Sequence, residues 1–190
     1  MNILEKKAAL RRLISSQLKK IDASQRELYS AGARARLSSQ PVWINARSVL
    51  FFFPRKDELD LWPMVKTAFA SGKRVTLPRY EPSNDTYQPA EILDPDLDLH
   101  PGPYSIPEPV PGCAVFPVNQ LDLVLVPGVA FDVLGRRLGR GKGYYDRILA
   151  TLRGVSCGAG FDQQVVSEIP VAPHDACLTC ILTPTRWFHF

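Results

Sequence analysis

Residues 48–54 read SVLFFFP. The run is apolar without alternation. That predicts a strand covered on both faces, since a half-solvated strand would alternate apolar and polar positions. Residues 121–126, LDLVLV, predict a second buried strand, and RVTLP at 74–78, Val155–Phe161 and Cys180–Leu182 predict three more. Helical patterns precede and separate them. Ile3, Leu10, Ile14, Leu18 and Ile21 form one stripe at helical spacing. A second helix is expected from about Gln25 to Ser39, opened by the capping-box pattern Ser24-Gln-Arg-Glu27 and followed by Pro41. Leu61–Ser71, closed by Gly72, and Gly143–Leu152 complete the set. Strand and helix thus alternate after residue 48. The expected fold is α/β, a mainly parallel sheet with helices on both faces, Rossmann-like and three-layered. Tyr80–Val118 breaks the pattern, because nine of the 17 prolines fall there. It is expected to be a Pro-rich irregular insertion with edge strands near Thr86–Ile92 and Cys113–Phe116.

The totals fit one domain over residues 1–190. Apolar residues make up 45% and charged residues 22%, and the net charge of +4 is too mild to announce a nucleic-acid face. Met1–Lys20 carries charge throughout and has no apolar signal-peptide segment, and no run approaches the ~18 apolar residues of a membrane span. A cytoplasmic monomer without membrane or nucleic-acid partners is expected. Cys177 and Cys180 form a CxxC, but Cys113 and Cys157 are isolated, and His100, His174 and His189 lack metal-site spacing. Buried, reduced thiols on a late strand are the expected reading.

Ligands of such sheets lie beyond the carboxyl ends of the strands. Three loops leave those ends: Pro54–Asp60, Pro78–Tyr80 and Pro127–Asp146. The last contains GRRLGRGKGYYD at 135–146. It is no P-loop, because Gly143 follows Gly141-Lys142 where a Ser or Thr should stand, and it fails the GxGxxG dinucleotide pattern as well. Its glycines let backbone N–H groups converge, the following helix adds a positive end, and Arg137, Arg140 and Lys142 add charged donors. Such a nest suits a triphosphate. Asp146 could hold magnesium, and Tyr144 and Tyr145 could face a heterocycle. A solvated basic tip would use the same residues, and the loop alone leaves both readings open. Lys7 and Arg11, at i and i+4, share a helix face that spacing alone reads as solvated.

PGVAFD at 127–132 and RLGRGKGYYD at 137–146 closely resemble the signature of the 5-formyltetrahydrofolate cyclo-ligase family. KAALR at 7–11, DELD at 57–60, GKRVTLPRY at 72–80 and IPEP at 106–109 extend the resemblance over nearly the whole chain. The resemblance implies ATP- and magnesium-dependent closure of 5-formyltetrahydrofolate to 5,10-methenyltetrahydrofolate through a phosphorylated formyl group, releasing ADP and phosphate. It implies that Lys7 and Arg11 meet the nucleotide, together with Arg137, Leu138, Gly139, Arg140, Gly141, Lys142, Gly143, Tyr144 and Tyr145. Arg140 and Lys142 would be catalytic, and Arg140 and Tyr144 would also approach the folate. Glu58 would bind its pterin, Phe53 would line the pocket, and Asp146 would hold the metal. The chain departs from the pattern at Pro54 and Leu61, where many relatives have Ser and Thr. Thr179 falls where some relatives have a late acid, with Asp175 nearby, so a second protein ligand for magnesium is left open. The alternative from another class is a non-catalytic folate- or nucleotide-binding regulator. It would require loss of a key polar residue, yet Lys7, Arg11, Glu58, Arg140, Lys142 and Asp146 are all present.

Overall fold

The computed structural model describes residues 2–170 and 175–190. Its main sheet has seven strands: β1 (Ser48–Leu50), β2 (Arg74–Glu81), β3 (Thr86–Ile92), β4 (Leu123–Pro127), β5 (Val155–Ala159), β6 (Cys180–Leu182) and β7 (Trp187–His189). Their order is β7-β6-β5-β4-β1-β2-β3. The five central strands run parallel, and β3 and β7 close the two edges antiparallel.

SVLFFFP earns its uninterrupted apolar character by feeding two cores. Val49 packs with Leu123 and Leu125 on one face, beneath the helices α1 (Ile3–Leu18), α2 (Ala23–Ser38) and α4 (Pro63–Ala70). Leu50 packs with Val124 and Val126 on the other, against Phe131 and Ile148 of α5 (Tyr144–Leu149). The sheet therefore carries helices on both faces, as expected. The ladder is shorter than the apolar run, because residues 48–50 pair with β2 and only Val49 and Leu50 also pair with β4, before the Phe51 N–H makes a last bond to the Thr76 carbonyl at 2.9 Å. Phe51 and Phe52 stay buried as the chain leaves the sheet.

Helix boundaries moved where a stronger local solution lay nearby. α1 is capped by Asn2, whose side chain accepts from the Glu5 N–H at 2.9 Å, and it ends at Leu18 rather than Ile21. α2 starts at a capping box of Asp22 and Gln25, two residues upstream of the expected Ser24 and Glu27. Pro41 does not merely end α2. It is the first residue of a short turn, α3 (Pro41–Ile44), where its missing N–H costs nothing. α5 is also shorter than expected, ending at Leu149.

The Pro-rich segment is more regular than its composition suggested. β2 runs on to Glu81 and pairs with β3 through seven residues, from Val75 opposite Ile92 to Glu81 opposite Thr86. Pro78 lies opposite Pro89, beyond the reach of β1 and next to an edge strand, so neither missing N–H breaks a central ladder. Cys113–Phe116 contributes a single bridge, Val115 to Ala90. Cys157 and Cys180 are buried register partners on β5 and β6, whereas Cys177 is exposed, so the buried-thiol expectation holds for only one member of the CxxC. Among the described residues no three His, Cys, Asp or Glu side chains cluster as a metal site. His174 lies outside the described residues. No described helix is long and apolar enough to cross a membrane.

Candidate functional site

The glycine loop begins as a tight hairpin of residues 130–132 and 137–138, joined by Val165–Val166 into a three-stranded sheet. Asp132 holds the hairpin turn. Fully buried, its Oδ1 accepts from the Leu134 and Arg136 N–H groups at 3.0 Å each, and its Oδ2 from the Ile169 N–H at 2.9 Å. This part of the signature therefore builds the frame.

Arg137 braces the same frame. Its guanidinium donates through Nη2 to Asp146 Oδ1 at 3.0 Å and through Nη1 to the Pro127 carbonyl at 3.3 Å, and it lies 5.7 Å from the Tyr145 ring centre. A Cβ on Gly139 would meet Nη1 at 2.8 Å, so glycine there makes room for the cation. Leu138 is buried in the first core, and Tyr145 packs against the second, where burial pushes its hydroxyl pKa upward. These three side chains face inward. The segment that reaches the surface is Gly139–Tyr144. There Gly141 and Gly143 take φ of +105° and +66°, left-handed values that let the backbone turn back on itself into α5.

Arg140 crosses from this segment to the loop after β1. Its Nη2 donates to both Asp57 carboxylate oxygens at 2.9 Å and to Glu58 Oε1 at 3.1 Å. Glu58 is nearly buried, and its Oε2 accepts from the Arg55 N–H at 3.0 Å. Desolvation holds its pKa above the ordinary 4.5, although the Arg55 amide and the Arg140 cation both oppose that rise. From above, α1 adds Arg11, whose Nε donates to the Gly139 carbonyl at 2.9 Å. Lys7, one turn earlier, pairs with Asp175 at 2.5 Å, both side chains largely buried. Arg11, Asp57, Arg140, Gly128 and Gln164 line a cavity of about 210 Å³ between these elements. The i, i+4 pair of α1 therefore does not form a solvated face: Arg11 reaches the glycine loop and Lys7 reaches Asp175. Lys142 is exposed and has no ion-pair partner among the described residues.

Phe53 lies 4.9 Å from Trp62, centre to centre, at the mouth of the loop that carries Glu58. Tyr144 is met by the β2–β3 hairpin. Its ring lies 4.7 Å from Tyr87 and 6.5 Å from Tyr80, and Tyr80 and Tyr144 both donate their hydroxyls to Asp85 Oδ1, at 2.9 and 3.0 Å. Buried Glu108 clamps the hairpin behind them, accepting from the Tyr80 N–H at 2.9 Å and from the Tyr87 hydroxyl at 3.1 Å. Sequence reading missed Asp85 and Tyr87. The available signal was the pair of tyrosines flanking a Pro-Ser-Asn-Asp turn, which marks a hairpin that sets both rings on one face. Gln164 was also missed. It donates to the Gly128 and Val129 carbonyls at 2.7 and 3.0 Å and so fixes the start of the loop.

A model described as the 5-formyltetrahydrofolate cyclo-ligase family matches residues 3–184. The Escherichia coli K12 protein named 5-formyltetrahydrofolate cyclo-ligase is 29% identical, covering 92% of this chain and 98% of its own. The Saccharomyces cerevisiae protein of the same name is 31% identical, covering 97% and 98%. The NMR structure of Aquifex aeolicus 5,10-methenyltetrahydrofolate synthetase superposes with a TM-score of 0.86 at 30% identity, covering 96% of this chain and 92% of that one.

Proposed function

We propose, for a chain that belongs to the 5-formyltetrahydrofolate cyclo-ligase family and is an enzyme of that kind, an ATP- and magnesium-dependent closure of 5-formyltetrahydrofolate to 5,10-methenyltetrahydrofolate. In this reading the formyl oxygen attacks the γ-phosphorus and ADP departs. The folate N10 then attacks the phosphorylated carbon and gives up its proton to solvent or to the departing phosphate, which leaves with the C–O bond electrons. Phosphorylation converts a poor leaving group into a good one. The protein's share is positioning and charge neutralisation, which suits a site without a nucleophile and base pair.

One observation carries the reading: Arg140 spans from the glycine loop to Asp57 and Glu58. Glu58 offers paired acceptor oxygens to the N–H edge of a pterin. Arg140 then touches the folate side and the phosphate side at once, where charge develops during transfer. Lys142 and the Gly139–Tyr144 amides hold the nucleotide, with Lys7 and Arg11 above them. The rings of Phe53 and Tyr144 flank the folate. Arg137, Leu138 and Tyr145 serve the same site by fixing the loop from beneath.

For magnesium, Asp146 is the fitting residue. It stands in the first turn of α5 beside the loop, and its Oδ1 accepts from Arg137. One carboxylate, completed by phosphate oxygens and water, is an ordinary magnesium donor set. When bound, the ion would neutralise phosphate charge. Residues 1–190 are taken as one domain, a cytoplasmic monomer acting on small molecules, with no nucleic-acid or membrane partner.

The test is direct. Purified protein with MgATP and 5-formyltetrahydrofolate should produce the methenyl chromophore and ADP in equal amounts. Arg140→Ala and Lys142→Ala should abolish both while leaving the circular dichroism spectrum unchanged. Absence of chromophore from the parent protein would overturn the reading, and folate binding without ATP turnover would favour the regulator.

A further inference from the structure

Asp85 occupies the last position of the turn between β2 and β3 with φ of +48°, a left-handed conformation that a residue other than glycine adopts at a cost. Three contacts gather on it. Its Oδ1 accepts from the Tyr80 hydroxyl at 2.9 Å and the Tyr144 hydroxyl at 3.0 Å, and its carbonyl accepts from Arg147 Nη2 at 2.9 Å. Tyr80 belongs to the same hairpin, but Tyr144 and Arg147 belong to α5. The Arg147 guanidinium lies 5.0 Å from the Tyr144 ring centre, and its Nη1 donates to the Lys142 carbonyl at 3.4 Å. One strained aspartate thus joins the hairpin tip to a tyrosine at the end of the glycine loop. It also holds the arginine that supports that loop.

We propose that Asp85 is a positioning residue for the folate substrate: from the β2–β3 turn it fixes the Tyr144 hydroxyl, and with it the ring pose against which the folate binds. The proposal rests on the reading of Tyr144 as a substrate contact. Two of the tether's donors are tyrosine hydroxyls, which set both the distance and the tilt of a ring. The edge-to-face packing of Tyr144 on Tyr87, with planes at 73°, shows that the tilt is specified. A carboxylate retained in a left-handed turn, where glycine would relieve the backbone, is explained by its side-chain acceptor.

The experiment compares Asp85→Asn, Asp85→Gly and Tyr144→Phe with the parent in the MgATP cyclisation assay. Asp85→Asn keeps an oxygen acceptor and suits the left-handed turn, so its constants should stay near those of the parent. Asp85→Gly loses the acceptor and relieves the backbone. It should raise KM for 5-formyltetrahydrofolate about fivefold, with kcat and KM for ATP changed less than about twofold and the melting temperature unchanged. Asp85→Gly combined with Tyr144→Phe should be no worse than Tyr144→Phe alone, as expected when one residue acts through the other. An Asp85→Gly protein with the parent's folate KM, or a double variant whose effects add, would overturn the proposal. An inactive parent protein would instead overturn the cyclo-ligase reading, while a folate dissociation constant for Asp85→Gly equal to the parent's would still sink the proposal by itself.

Discussion

Lys7 and Asp175 stand 168 residues apart in the chain and 2.5 Å apart in the fold, with side chains only 12% and 14% exposed. The ion pair fastens α1 to the segment that leads into β6, and Arg11, one turn further along α1, touches the glycine loop. In the nucleotide-binding role proposed for Lys7, a phosphate would compete with this carboxylate.

That competition has a sign. Asp175→Asn should tighten MgATP binding about threefold, because a neutral amide holds Lys7 less firmly than a carboxylate. Isothermal titration against MgATP reads the change. Weaker binding, together with a raised magnesium requirement, would assign Asp175 to the metal instead.

The Arg137–Asp146 pair is nearly buried, with Arg137 5% and Asp146 20% exposed, and the Arg137 Nε has no hydrogen-bond partner. Removing Asp146 would strand a buried cation. Asp146→Ala should therefore lose about 3 kcal/mol of unfolding free energy in denaturant titrations, in addition to any effect on magnesium. Arg137→Met combined with Asp146→Ala should recover part of that loss, since the double variant leaves no unpaired charge.

Glu58 titrates against the fold. Its pKa is raised above 4.5, with desolvation the leading cause, so in the window above that value the folded chain keeps a proton that the unfolded chain has released. Its stabilising contribution is complete below the window and is lost as pH rises through the folded pKa. Glu58→Gln cannot ionise. Its melting temperature relative to the parent should therefore improve between pH 4.5, the group's ordinary value, and neutrality, while folate binding falls. A constant difference across that range would contradict the prediction.

Gly141 has open space around the position of a Cβ, with only Arg11 Nη2 at 3.8 Å, but its φ is +105°. Gly141→Ala should thus cost about 1–2 kcal/mol through backbone strain alone, readable by thermal unfolding. Gly143, at φ +66° and ψ +13°, lies where asparagine is tolerated, so Gly143→Asn should be far milder than Gly143→Val.

Most of the frame was legible in residue order. Two continuous apolar runs, residues 49–53 and 123–126, required strands covered on both faces, and such strands require helices above and below. The glycine loop was recognisable because backbone freedom and clustered cations are local properties. Charge and spacing could not say which cations were available. Arg137 and Arg140 look alike in the sequence, yet one is buried against Asp146 and the other bridges to Asp57 and Glu58.

The Tyr80–Pro89 hairpin was obscured for another reason. Proline density argued against regular structure, but the register sets Pro78 and Pro89 opposite each other where no neighbouring ladder needs their missing donors. Hydrophobic period and glycine placement act within a few residues, so the layers, the order of most elements and the position of the glycine loop could be read from residue order. That Lys7 meets Asp175, Arg140 meets Glu58 and Asp85 reaches Tyr144 emerges from the folded arrangement alone. Those pairings depend on which loops a parallel sheet gathers at one end, and contacts made across 59 to 168 residues leave no mark in local spacing.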